Sequence, residues 1–288
     1  MKKFLTKITL ITITSLLSIM MIYTLIIMSS QDVITGSGGA IFYVADKAEY
    51  NSGCSAVILG DSVCDQLWPH RENSPEMAHL SCNHGITAAG TYLLLKKYLD
   101  HNPQTQDVFY AIRPQSLGTD LGQYSYQFFV IPFVNSETIK MLDDETRQRI
   151  YEKFGRPFVD NKYLKGFLLN NNFFMTKYLE RIMTSQDDAK YVHRLSHIAI
   201  IYLSKIHTLC SEHNIKLHVL PLPVPDTREN HDWADLEQEI KDNGLEDILG
   251  GFVSRIHYCP KDWYRDGVHF RIEILKQHLD EIRGWVMN

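Results

Sequence analysis

The sequence predicts an α/β domain built on a parallel sheet, and three observations predict it. Short apolar runs of five to eight residues alternate with longer amphipathic stretches. Glycine-led turns follow several of the runs, and no internal repeat or low-complexity tract interrupts the alternation. That rhythm is the one expected of parallel strands covered by helices.

The chain opens on a segment of another kind. Met1 to Lys7 holds three lysines, and Ile8 to Met28 is a 21-residue run without a charge. Such a run is long enough to cross a bilayer. It exceeds the roughly 7 to 15 residues of a signal-peptide core, and Ser29-Ser30-Gln31-Asp32 offers no small-x-small cleavage site. An uncleaved signal-anchor over residues 8–28 is therefore the reading, with residues 1–7 cytoplasmic and the remainder periplasmic or extracellular by the positive-inside rule. Residues 29–48, which include Gly36, Ser37, Gly38 and Gly39, read as a flexible linker. The globular domain is expected over residues 49–288.

Within it, Ser55-Ala-Val-Ile-Leu59 reads as a buried strand that runs at once into Gly60-Asp61-Ser62 and a helix. A second strand ends near Cys82 and is followed by Asn83-His84-Gly85 and a helix from about Thr87. Asp107 to Ile112 is a third strand, stopped by Arg113-Pro114. From about residue 118 to 190 the periodicity weakens and aromatics are frequent, among them Phe128, Phe129, Phe133, Phe154, Phe167 and Tyr178, which suggests an inserted lid-like segment. A long helix near Tyr191 to His213, a strand over Ile215 to Leu222, acidic helical sequence from Trp233 to Ile248, a last short strand and a terminal helix from Ile272 complete the domain.

Charge narrows the function classes. The chain has 29 Lys+Arg against 34 Asp+Glu, and removal of Lys2, Lys3 and Lys7 leaves 26 against 34, a balance of −8 beyond residue 30. That mildly acidic balance argues against broad nucleic-acid binding. The five cysteines, Cys54, Cys64, Cys82, Cys210 and Cys259, are odd in number and irregular in spacing, so they form no disulfide framework and no zinc motif. Cys64 and Cys82 are the pair whose proximity matters most. His193 and His197 stand four apart on the predicted long helix, but without the glutamate of an H-E-x-x-H motif they predict no metal site.

The chemistry gathers at two places. A strand, a tight glycine turn and a helix present Ser62 at a helix N-terminus, where backbone N–H groups favour negative charge. Serine alone is a poor nucleophile and needs a histidine base held by a carboxylate. Asp266-Gly267-Val268-His269 supplies both, with two residues between them to turn the carboxylate onto the imidazole. Because this segment follows the last strand, it is expected at the carboxyl edge of the sheet beside Ser62. Asp61 reads as a helix cap, and Arg113 and Gln115 as weaker candidates for holding a substrate.

Gly60-Asp61-Ser62-Val63 resembles the first block of the SGNH (GDSL) hydrolase superfamily, Asn83-His84-Gly85 its second, and Asp266 to His269 its last. The resemblance spans about residues 54–288 and implies a three-layer α/β/α, flavodoxin-like domain. It implies catalysis by Ser62, His269 and Asp266, and an oxyanion hole formed by the N–H groups of Ser62 and Gly85, with Asn83, Arg113 or Gln115 as candidates for the further donor that the family's third block supplies. The third block, Gly-x-Asn-Asp, is absent: Arg113-Pro114-Gln115-Ser116 stands there. That substitution, with the N-terminal apolar segment, is similar to the D-alanyl transfer protein of teichoic-acid modification and to alginate-type O-acetylation proteins. The implied activity is that of a serine esterase or acyltransferase on an acylated cell-envelope glycan or polymer, beside a membrane-bound O-acyltransferase, with no metal or organic cofactor. The rival reading is a non-catalytic docking module of the same fold.

Overall fold

A computed structural model describes residues 2–29, 37–122, 125–160 and 194–288. Helix α1 spans Lys2–Ser29 and α2 Ser37–Lys47. Strand β1 (Ala56–Gly60) leads into α3 (Ser62–Leu67), and β2 (Met77–Ser81) into α4 (Thr87–His101). Then come β3 (Asp107–Ile112), α5 (Asp144–Phe154), α6 (His197–Glu212), β4 (Lys216–Pro221) and β5 (Val224–Pro225). Helix α7 (Ala234–Asp242), β6 (Tyr258–Cys259) and α8 (Ile272–Met287) close the chain.

The main sheet has the order β2-β1-β3-β4, with every pairing parallel. Its register puts side chains in rows that alternate between the faces, as the two-residue period of a strand requires. Leu59 aligns with Leu80 and Tyr110, and Tyr110 with Val219; this row joins a core with Leu94 and Leu95 of α4 and Leu203 of α6. One residue away, Ile58, Ala111 and Leu220 face the other way, towards Val63 and Leu67 of α3 and Ile282 and Val286 of α8. Both faces are thus covered by helices, and the central strand β1 carries no polar side chain, while His79, Ser81, Lys216 and His218 stand on the edge strands β2 and β4 and Asp107 at the start of β3. The strand expected last does not extend this sheet: β6 pairs with β5 in a separate two-stranded parallel ladder. Two residues of pairing are too weak a local signal for the sequence to say which sheet they join.

The linker expectation needs correction. Residues 37–47 form α2, and Ile41, Val44, Ala45 and Ala48 are buried in the main core. Their spacing is that of one helix face, and burying it outweighs the cost of Gly38 and Gly39 near the helix start. Lys47 secures the helix end by donating to the carbonyls of His70, Glu72 and His79. Its partial burial brings the ammonium pKa down to about 8.

Part of the lid-like segment is also core. Phe128, Phe129, Phe133, Ile150 and Phe154 are buried in the same cluster as the strands, while residues 161–193 lie outside the described residues. Among the described residues no helix is long and apolar enough to cross a membrane. In α1, Leu10, Ile11, Leu17 and Met21 are exposed. All five cysteines are buried and free, so the Cys64 and Cys82 pair is not bridged.

Candidate active site

Ser62 follows β1 at the carboxyl edge of the sheet, where β2 and β3 lie on opposite sides of β1. In open α/β sheets this point of divergence leaves a crevice in which ligands bind. The turn is held by two devices. Gly60 has no room for a side chain: an added Cβ would stand 2.0 Å from Ala111 O and 2.7 Å from Cys64 Sγ. Close approach of β3 and α3, rather than an unusual φ, is what requires glycine there.

Asp61 is the second device. Its Oδ1 accepts from Val63 N at 2.9 Å and Cys64 N at 3.3 Å, capping α3 as the sequence suggested. Its Oδ2 accepts from Ser116 Oγ at 2.7 Å, Arg113 N at 3.1 Å and Arg113 Nε at 3.3 Å. Asp61 is 1% exposed. Burial opposes its ionisation, but the Arg113 charge and the hydrogen bonds from Ser116, Arg113 and Val63 outweigh it and hold the carboxyl below its ordinary value. Arg113 is therefore committed to a buried ion pair beneath the turn rather than offered to a substrate.

His269 reaches the turn from a loop 207 residues away, with its Nε2 at 2.9 Å from Ser62 Oγ. The loop's shape comes from its own residues. Gly267 has φ of +77°, a conformation that glycine adopts without strain. Asp266 Oδ1 accepts from Val268 N at 3.0 Å and His269 N at 2.8 Å, and Arg265 N donates to His269 O at 2.9 Å. Asp266 Oδ2 stands 2.9 Å from His269 Nδ1. A carboxylate can only accept, so the imidazole proton sits on Nδ1 and leaves the Nε2 lone pair for the Ser62 hydroxyl. Partial burial raises the Asp266 pKa, yet the hydrogen bonds from the backbone and ring of His269 and from Val268 dominate and hold it far below the carboxylate range.

The remaining candidates divide. Asn83 Oδ1 accepts from Gly85 N at 2.9 Å, so the Gly85 amide expected in an oxyanion hole is engaged by its neighbour. The same bond turns the Asn83 NH2 away from Gly85. Asn83 stands two residues beyond Ser81, which pairs with Gly60. The Ser62 N–H, in the first turn of α3, has no intrahelical partner. Gln115 Nε2 donates to Asn230 Oδ1 at 2.9 Å, and Asn230 Nδ2 to Pro225 O at 2.7 Å, so Gln115 braces β5. His193 lies outside the described residues, and His197 Nε2 stands 3.5 Å from Glu145. Among the described residues no group of three or more His, Cys, Asp or Glu could hold a metal ion.

Two features had no sequence signal: the Asp61–Arg113–Ser116 network, and a pairing of the Gln66 side chain with the backbone of Phe270. Each joins residues more than 50 positions apart, beyond the reach of any local pattern.

Comparison with protein-family models and with curated proteins gave no match. A solved structure from Streptococcus pneumonia, whose name refers to platelet activating factor, aligns with 85% of this chain and 92% of that one at 11% identity, with a TM-score of 0.37. A likeness at that level carries no argument about fold or activity, so the site stands on its own geometry.

Proposed function

We propose that this chain is a membrane-anchored serine esterase or acyltransferase of the SGNH type, acting outside the cytoplasm on an acylated cell-envelope glycan or polymer. The observation that carries the reading is the continuous chain from Ser62 Oγ through His269 to Asp266, with both links at 2.9 Å. The order β2-β1-β3-β4 agrees with a flavodoxin-like arrangement.

In the first half-reaction His269 Nε2 takes the hydroxyl proton as Ser62 Oγ attacks an ester carbonyl. Asp266 stabilises the imidazolium. The oxyanion is received by the Ser62 N–H and the Asn83 NH2, because Arg113, Gln115 and the Gly85 amide are engaged elsewhere. The alkoxide leaves with the proton from Nε2, and the acyl group remains on Ser62. In the second half His269 deprotonates an acceptor hydroxyl or water, which attacks the acyl-enzyme and frees Ser62.

The anchor rests on the 21-residue uncharged run and the lysines before it. Those features favour an acceptor at the membrane's outer face and a membrane-bound O-acyltransferase as partner. The mechanism is tested by exposing the full chain, in detergent, to a fluorophosphonate probe. The native chain should label and Ser62→Ala should not. A folded native chain that stayed unlabelled would instead favour the non-catalytic docking module.

A further inference from the structure

We infer that Gln66 is a positioning residue that sets the separation of Ser62 and His269, an inference that rests on the acyl-transfer reading above. Gln66 lies four residues after Ser62 on α3, hence on the same helix face. Its Oε1 accepts from Phe270 N at 3.0 Å and its Nε2 donates to Phe270 O at 3.0 Å. Both backbone groups of one residue are engaged, so the carboxamide has a single orientation: flipped, it would set oxygen against oxygen. Phe270 is 1% exposed and adjoins His269 directly.

The other bonds to the histidine loop do a different job. Asp266 and Arg265 bond within the loop, fixing its internal shape without attaching it to α3. The two Gln66 bonds join the loop backbone to the helix that begins at Ser62. A third tie lies just beyond them, where Arg283 Nε of α8 donates to Leu67 O at 2.7 Å. Leu67 O is one of the last helical carbonyls, which lack intrahelical donors. Helix α3 is therefore pinned at both ends: Asp61 fixes where it starts, and Gln66 and Arg283 fix where it lies against the C-terminal segment. A histidine base must meet its serine within hydrogen-bond reach, and a slip of about 1 Å can cost about 100-fold in rate. Gln66 holds that distance without touching the substrate.

The test uses the full chain in detergent and measures fluorophosphonate labelling of native protein, Gln66→Ala, Gln66→Met and Ser62→Ala. Met keeps the volume of Gln66 and removes both hydrogen bonds, so it separates pairing from packing. In both Gln66 variants the inactivation rate constant should fall roughly 10- to 100-fold, with probe affinity close to native and the chain still folded at the assay temperature, although its melting midpoint drops because the Phe270 N–H and C=O lose their partner. The Phe270 amide should also exchange faster in Gln66→Met, having lost its acceptor. Gln66→Met labelling at the native rate, in a series where native protein labels and Ser62→Ala does not, would overturn the positioning role alone. An unlabelled native chain would sink the acyl-transfer reading and the positioning role together.

Discussion

Asp61 and Asp266 solve one geometric problem in two environments. Each uses one oxygen to collect two backbone N–H groups of the following residues, Val63 and Cys64 in one case and Val268 and His269 in the other. Each turns its second oxygen on a nitrogenous partner, Arg113 for Asp61 and His269 for Asp266. The side chains differ in exposure, at 1% and 46%. A buried carboxylate with a permanent cation is a structural rivet whose loss leaves a charge stranded. A half-exposed carboxylate on a titratable ring adds little to stability, because water screens it, but it decides which ring nitrogen carries the proton. Burial therefore separates the carboxylate that holds the site from the one that tunes it.

Replacing Asp266 tests the tuning side and should give the largest effect. In Asp266→Asn the carbonyl oxygen can still collect the two N–H groups, so the turn persists and stability should change by less than about 1 kcal/mol. The new NH2 faces Nδ1 and forces the proton onto Nε2, which then cannot accept from Ser62. Labelling at Ser62 should fall about 10,000-fold, as for a triad with the wrong tautomer. A variant that labelled within tenfold of native would remove the distinction between the two carboxylates.

The mirror experiment is Asp61→Asn, which leaves the Arg113 guanidinium buried without a counter-charge. The cost should be about 3–5 kcal/mol, visible as a melting midpoint lowered by roughly 6–20 °C in a domain of this size. Arg113→Met in the same background should recover part of the loss. The pH dependence has a definite sign. Asp61 in the folded chain titrates below its usual 3.8, so its contribution is complete above that value and drains away as pH falls through the lower folded pKa. In the Asp61→Asn chain that part of the acid transition should vanish. A midpoint within 2 °C of native (about 1 kcal/mol or less) would show that the ion pair only offsets its own desolvation.

How much of this was legible before the structure follows from the range of each interaction. Asp61 as a cap, the strand over residues 107–112 and the helix from Thr87 are encoded within a few neighbours, and they stand where the sequence put them. The Asp266–His269 contact spans three residues, whereas its meeting with Ser62 bridges 207 and is legible only through the order of the elements, which sets both at the carboxyl edge of the sheet, and through the resemblance between blocks. Helix α2 has a local signal, the helical spacing of Ile41, Val44, Ala45 and Ala48, but Gly36, Gly38 and Gly39 beside it read as a linker and mask it. Arg113 and Gln66 are different. An arginine after a strand and a glutamine on a helix are unremarkable in sequence, and their partners are chosen only when β1 meets β3 and α3 meets the C-terminal segment. Tertiary polar pairing has no periodicity to read.

Gly267 offers the smallest and finest probe of the tuning side. With φ at +77° and no atom within 4 Å of a built Cβ, a side chain there meets conformational strain and no collision. Gly267→Ala should cost about 1–2 kcal/mol, the penalty of the left-handed region for a residue with a Cβ. Gly267→Asn should cost less, because asparagine enters that region more readily. The turn can relieve strain by opening, and opening would draw Asp266 from the ring while Gln66 still holds Phe270. Labelling should therefore fall in the order native, Asn, Ala, in step with the conformational penalty. Equal losses for Asn and Ala would point to crowding by a substrate over the turn and away from the backbone, and would relocate the constraint from the loop's φ to the site's mouth.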